Sequence, residues 1–153
     1  MNTDFEKPFT PPPTIFLVAL FIGIGLGVFF PWSVFPWLVQ ATLGPLLVLV
    51  GVFAILQSMK DIEAAATTYD PYDVSTALVT SGIYQRSRNP GYLGLAIIQL
   101  GLAITIDNMW IVATGLIAVI VTTHFVIRLE ERKLTDAFGE AYTAYQKRVR
   151  RWI

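Results

Sequence analysis

Two long stretches of the chain are apolar almost without interruption. From Pro8 to Met59 no residue is charged, and from Asn89 to Ile127 Asp107 alone is charged. Neither stretch alternates polar and apolar faces as a soluble helical bundle does. A membrane-spanning helix takes roughly 20 apolar residues, so each stretch has room for two spans and a turn. The pattern predicts an all-α fold, a polytopic membrane bundle of about four transmembrane helices in two antiparallel hairpins. The spans are expected at Thr14 to Phe30, Leu38 to Met59, Pro90 to Ile106 and Met109 to Ile127. Pro31 to Trp37 and Asp107-Asn108 are the turns. Pro31 and Pro36 break the helix, and Trp32, Trp37 and Trp110 suit the headgroup belt.

Beyond Ile127 the pattern changes. Leu134, Phe138, Tyr142, Tyr145 and Val149 recur at steps of three or four residues, with charges between them. That predicts a C-terminal amphipathic helix over Glu130 to Arg151, lying at the membrane surface. The chain therefore reads as one integral membrane domain, 1–153. Its parts are an N-terminal hairpin at 14–59, a polar connector at 60–89, and a second hairpin with the tail helix at 90–153. The connector holds breaks at Asp70-Pro71 and Ser81-Gly82. A connector of this length is usually functional or disordered.

Charge then orients the bundle. Ten of the eleven Lys and Arg residues lie in the connector or at and beyond the end of the fourth span, and the two turns carry none. The positive-inside rule puts both termini and the connector in the cytosol. The leading residues set Lys7 against Asp4 and Glu6, and a second apolar run follows at once, so the first span reads as retained rather than as a cleaved signal. A net charge of zero gives no reason to expect a nucleic-acid partner. With no cysteine and the single histidine His124, thiolate catalysis and Cys- or His-rich metal sites are excluded.

The short Asp107-Asn108 turn returns the fourth span beside the third. Asn89 to Tyr92 therefore lie at the depth of His124 to Glu131. Asn89 is a favoured N-cap and Pro90 a favoured first helical residue. The helix start offers its positive dipole end beside Arg86 and Arg88, which is an anion-binding arrangement. Across from it stand Arg128, Glu130 and Glu131. Glu131 follows Arg128 by three residues and shares its face, with His124 one turn earlier. Two carboxylates at the negative end of a helix dipole need a reason. A ligand with a carboxylate and nearby positive charge fits both features, and S-adenosylmethionine has a carboxylate, an ammonium and a sulfonium. Its carboxylate would meet the helix start and its arginines, its ammonium Glu130 or Glu131, and its adenine Tyr84, Tyr92 or the tail tyrosines.

Each feature also has a plainer reading. Arg86 and Arg88 serve equally as anchors touching lipid phosphates. Glu130 and Glu131 serve as a solvated face paired with Arg128, Arg132 or Lys133. His124 serves as a satisfied interfacial residue, and Tyr142 and Tyr145 as packing on the amphipathic face.

Two runs carry a resemblance. The first is Gly82-x-Tyr84-x-x-x-Arg88-Asn89-Pro90-x-Tyr92, and the second is Glu130-Glu131-x-x-Leu134-x-x-x-Phe138-Gly139-x-x-Tyr142-x-x-Tyr145. Together they resemble the signature of the isoprenylcysteine carboxyl methyltransferase and phospholipid methyltransferase superfamily. Thr67-Thr68-x-Asp70-Pro71 and Leu78-Val79 look like that family's approach segment. The resemblance covers about Met59 to Trp152. It implies an S-adenosylmethionine-dependent methyltransferase with a cytosol-facing cofactor pocket built by the two motifs. The acceptor, an isoprenylcysteine-like carboxylate or a phospholipid amine, reaches the methyl group from the bilayer. Tyr84, Arg88, Asn89, Pro90, Gly91, Tyr92, Glu130 and Glu131 are then expected at the cofactor, and His124, Arg128 and Glu131 at the reaction. Asn89 stands where many eukaryotic members have His, so no proton transfer is expected there. No metal is expected, and the location expected is the plasma (inner) membrane of a prokaryote. The alternative is a non-catalytic lipid-binding or scaffold protein retaining the fold. A transporter is disfavoured, because the spans offer no polar midplane site.

Overall fold

A computed structural model describes residues 11–65 and 77–153. The Asp70-Pro71 break and the Thr67-Thr68 part of the approach segment lie outside the described residues. The described chain is helical: α1 (Pro12–Phe29), α2 (Trp37–Ala64), a 3-10 turn (Gly82–Gln85), α3 (Pro90–Thr105), α4 (Met109–Thr122), a π-helical segment (Thr123–Ile127), α5 (Arg128–Phe138) and α6 (Glu140–Arg148). α1, α2 and the continuous helix Met109–Phe138 are long and apolar enough to cross a bilayer. Their outward faces are apolar: Phe21, Val28, Leu49, Phe53, Leu116 and Ile120 are all exposed. Apolar faces of this extent, on helices long enough to span, suit lipid, and the chain is an integral membrane protein.

The end of α2 differs from the expected one. α2 runs on to Ala64, so Lys60, Asp61 and Glu63 extend the helix past the apolar run. Gln57 supports that extension by donating its side-chain amide to Asp61 Oδ1 one turn on, at 2.9 Å. α3 has 16 residues, about 24 Å at 1.5 Å per residue. Its short length is tolerated because it is the inner helix, covered by α2 on one side and by α4 on another.

Glycines set this arrangement. A Cβ on Gly51 would come within 2.6 Å of the Gly94 carbonyl, and one on Gly101 within 2.8 Å of the Gly44 carbonyl. α2 and α3 thus meet backbone to backbone, through small residues seven apart on each helix, as packed membrane helices do. Gly23 of α1 is pressed in the same way against Ile111 and Thr114 of α4. The paired positions run in opposite order in each case, so the contacts are antiparallel. The spatial order is α2, α3, α4, α1. The first two helices are antiparallel, but they flank the α3–α4 pair instead of packing on one another, because their glycines fit the second pair. Phe16, Ala19 and Ala118 are buried together with Leu95 and Ala96 against them. Oriented to satisfy both groups, the buried Gln99 amide donates to the Phe16 carbonyl and accepts from the Gly115 N–H, tying α3 to α1 and α4.

The two turns are stitched into one cap. Asp107 takes the left-handed backbone conformation (φ 51) that a sharp turn needs. Its Oδ1 accepts the N–H groups of Val34 and Phe35, both at 2.8 Å. The Trp110 indole donates to the Phe30 carbonyl at 2.7 Å and meets Trp32 edge to face, ring centroids 5.5 Å apart. Asn108 caps α4 through the Trp110 N–H and reaches Gly23 of α1.

The tail differs from a single amphipathic helix on the membrane. α4 passes through the π-helical segment into α5 without a break. The helix then stops at Gly139, whose φ of 52 and ψ of −121 suit glycine alone. α6 folds back, and Tyr142, Tyr145 and Val149 bury against Leu78, Leu134 and Phe138. The five residues of the expected apolar face do cluster, but around the connector.

Candidate functional site

The site is assembled at the end of the bundle opposite the two stitched turns. Its floor is the 3-10 turn at Gly82–Gln85. Asp61, one turn before the end of α2, accepts the Ile83 N–H at 2.7 Å. Gly82 has φ 57, and any Cβ there would fall inside the Asp61 carboxylate. That contact fixes where Tyr84 stands. Its hydroxyl is hydrogen-bonded to Ser58 of α2 at 2.9 Å, and its carbonyl accepts the Tyr145 hydroxyl at 2.6 Å.

Asn89 and Pro90 begin α3 as expected, but Asn89 does not cap it with its side chain. Its amide donates instead to the Arg151 carbonyl at 2.9 Å. Ser87, buried, accepts the Asn89 N–H at 3.1 Å and donates to the same carbonyl. The Arg88 N–H donates to the Arg150 carbonyl at 3.0 Å. The extended segment after α6 is therefore laid along the start of α3.

This brings three charges together. Arg88 Nη2 donates to Glu131 Oε1 at 2.7 Å. Arg151 donates from Nε to Oε1 at 3.0 Å and from Nη2 to Oε2 at 2.6 Å. The Glu131 and Arg88 side chains are only 11% and 10% exposed, so both charges need these partners. Arg88 also holds the Gln146 carbonyl through Nη1. Its Nε is buried and meets no acceptor among the described residues. Next to this cluster Tyr92 donates its hydroxyl to Glu130 Oε1 at 2.5 Å. Arg88 and Tyr92 are one turn apart across the start of α3, and Glu131 and Glu130 are adjacent on α5, so the two contacts form neighbouring rungs. An open depression of about 440 Å³ lies beside them, lined by Arg128, Glu131, Arg132, Thr135 and Asp136 of α5 and by Gln146 and Arg151 of the tail.

The expected residues separate into groups. Arg88, Asn89, Tyr92, Glu130 and Glu131 come together, with Pro90 and Gly91 buried beneath them. Arg128 is exposed at the rim of the depression. His124 is exposed too, within the π-helical segment, and its Nδ1–H donates to the Ile120 carbonyl at 2.9 Å. A carbonyl only accepts, so the proton sits on Nδ1 and Nε2 is the basic atom. Tyr142 and Tyr145 are packed away from solvent. Burial raises the Tyr142 phenol to about 12 and also raises that of Tyr145, so both hydroxyls stay protonated.

Five contributors were not singled out from the sequence: Ser58, Asp61, Ser87, Gln146 and Arg151. Gln146 acts through its backbone carbonyl, which no side-chain pattern reveals. Arg151 was one of several tail cations, and its partner lies 20 residues earlier on another element. Among the described residues no group of three or more His, Asp or Glu is placed to hold a metal ion.

Comparison with known proteins bears on this geometry. Protein-S-isoprenylcysteine O-methyltransferase of Schizosaccharomyces pombe is 38% identical over 74 residues, 47% of this chain and 30% of that protein. Protein-S-isoprenylcysteine O-methyltransferase B of Arabidopsis thaliana is 36% identical over 74 residues, 47% of this chain and 36% of that protein. The chain thus matches about a third of the length of each of these two relatives. An uncharacterized protein of Haemophilus influenzae is 34% identical over 62 residues, 40% of this chain and 98% of that protein. No solved structure matches the chain significantly. The profile of the phospholipid methyltransferase family matches residues 39–141, which takes in α2, α3, α4, α5 and the start of α6. The chain belongs to the phospholipid methyltransferase family, whose chemistry implies a methyl donor.

Proposed function

We propose that this protein is an S-adenosylmethionine-dependent methyltransferase acting on a membrane-partitioned, lipid-like acceptor. The observation that carries the reading is the Arg88–Glu131–Arg151 cluster, nearly buried at Arg88 and Glu131, beside the Tyr92–Glu130 contact at one end of an apolar bundle. These residues fit the methyl donor. The unpartnered Arg88 Nε and the arginines at the depression suit its carboxylate. A glutamate of the Glu130-Glu131 pair suits its ammonium, and Tyr84 and Tyr92 are the aromatic residues assigned to its adenine in this reading. When bound, S-adenosylmethionine supplies an already activated sulfonium methyl.

The protein's share is alignment and exclusion of water. Arg88, Asn89, Pro90, Gly91, Tyr92, Glu130 and Glu131 hold the amino-acid end. Arg128, at the rim, meets an anionic group of the acceptor. A carboxylate acceptor needs no base. An amine acceptor must lose a proton, and His124 Nε2 at the lipid boundary is the group to take it. The acceptor is an isoprenylcysteine-like carboxylate or a phospholipid amine, entering from the bilayer. In this reading both termini and the 60–89 connector face the cytosol, 14–59 is the anchoring half, 90–153 is the catalytic half, and the membrane is the inner membrane of a prokaryote.

The test is to incubate membranes containing the protein with methyl-labelled S-adenosylmethionine and to identify the labelled molecule. Label in an apolar extract is the expected result. Base-labile label marks an ester, and stable label an amine or thioether. No label above that of membranes lacking the protein overturns the reading in favour of a non-catalytic scaffold.

A further inference from the structure

We infer that Glu131 is not the receptor of the methyl donor's ammonium: Arg151 and Arg88 hold it as a positioning residue, and Glu130 receives the ammonium. This rests on the S-adenosylmethionine reading above and assigns the two adjacent glutamates different work.

A carboxylate has two oxygens and about four lone-pair sites. Glu131 already accepts three charged N–H donors, from Arg88 Nη2, Arg151 Nε and Arg151 Nη2. The two contacts from Arg151 form the planar fork that guanidinium makes with carboxylate and ammonium cannot. Two cations on one anion leave the cluster with a net charge of +1. An incoming ammonium meets repulsion there, whereas an incoming carboxylate meets attraction. To bind at Glu131, the ammonium would also have to displace the Arg151 fork from a nearly buried carboxylate, leaving Arg151 without its partner.

Glu130 is built differently. It accepts one neutral hydroxyl, from Tyr92 at 2.5 Å, and makes no ion pair among the described residues. No second hydrogen-bond donor among the described residues meets it. The amino and carboxylate groups of an amino acid share one carbon, so their receptors must be neighbours. Consecutive residues, with Cα atoms about 3.8 Å apart, meet that condition. The net-positive cluster takes the carboxylate and Glu130 the ammonium. Arg151 is therefore a positioning residue, acting on the ligand site through Glu131 and through its carbonyl, which Asn89 and Ser87 hold.

The experiment pairs variants with two probes, S-adenosylmethionine and its analogue lacking the amino group. Affinities are measured by calorimetry on the full chain in lipid nanodiscs, with helicity and the thermal midpoint checked for each variant. Glu130→Gln is expected to lose about tenfold or more in affinity for S-adenosylmethionine and little for the analogue. Glu131→Gln and Arg151→Ala are expected to lose affinity for both probes alike, with a lowered thermal midpoint. Arg151→Lys, which keeps the charge but not the fork, is expected to recover only part of the loss. If the loss in Glu131→Gln disappears with the analogue while that in Glu130→Gln persists, the assignment is reversed and the inference fails. Failure of the folded wild type to bind S-adenosylmethionine at all instead removes the methyl-donor reading beneath it.

Discussion

Tyr145 donates its hydroxyl to the Tyr84 carbonyl at 2.6 Å, across 61 residues of chain. The Tyr84 hydroxyl in turn meets Ser58 of α2. Tyr84 thereby couples the tail to α2. Tyr145→Phe keeps the ring and removes the bond, leaving a partly buried carbonyl without that donor. The expected cost is about 0.5–1.5 kcal/mol of stability, read as a lowered thermal midpoint in nanodiscs. The pH dependence has a definite sign. Burial raises the Tyr145 phenol above its ordinary 10.0. Its contribution is fully present below pH 10 and is lost as pH rises through the higher folded value. The wild type should therefore lose this increment on the alkaline side, and Tyr145→Phe should lack it.

Gly94→Val tests the close approach of α2 and α3. A Cβ at Gly94 would stand 2.6 Å from Ile55 Cγ1 and 2.7 Å from the Gly51 carbonyl. A backbone carbonyl cannot swing aside, so the helices must part. Overpacking of this kind costs typically about 1–3 kcal/mol, and the Ser58–Tyr84 contact shifts with it. Gly25→Ala is the control, because a Cβ at Gly25 meets nothing within 4 Å. Equal thermal midpoints for the two variants would show that the approach is not tight.

Asp107 gives a second pH dependence, at the opposite end of the bundle and of opposite sign. The N–H groups of Phe35 and Val34 hold its carboxyl below the ordinary value of 3.8. The stabilisation is present above pH 3.8 and is lost as pH falls through the lower folded value. Asp107→Ala removes the acceptor for both N–H groups and is expected to lower the thermal midpoint at neutral pH. Asp107→Asn keeps an oxygen acceptor and a residue that tolerates positive φ. It is expected to remain close to the wild type at neutral pH while losing the acid-side slope, which thermal scans across pH 2.5 to 6 would reveal.

Arg88→Ala removes contacts to Glu131 and to the Gln146 carbonyl at once. The expected loss in S-adenosylmethionine affinity is at least about tenfold, or about 1.4 kcal/mol. Arg88→Lys should not restore it, because a single ammonium does not reproduce the planar guanidinium that bridges both acceptors. Calorimetry measures both variants, and wild-type affinity in either sinks the assignment of Arg88 to the site.

What the sequence determined by itself follows from local rules. Charge-free runs longer than a bilayer is thick must be membrane helices, and prolines with a two-residue polar turn must divide them. The Arg88-Asn89-Pro90 start of α3 and the Glu130-Glu131 pair were legible because each is a short run whose residue types conflict with, or cap, a helix end. The apolar set from Leu134 to Val149 was legible as a face. Tertiary structure decided which surfaces that face and those ends would meet. Gly44, Gly51, Gly94 and Gly101 are unremarkable in an apolar run until two backbones close on them, and that closure sends α2 to α3 rather than to α1. Gly139 looked helical until its positive φ turned α6 back. Asn89 read as a cap, yet its amide went to the Arg151 carbonyl once the tail returned. Arg151 was one cation among several until that return brought it to Glu131. Long-range pairing depends on where a chain comes back in space, and periodicity records only what neighbours along the chain share.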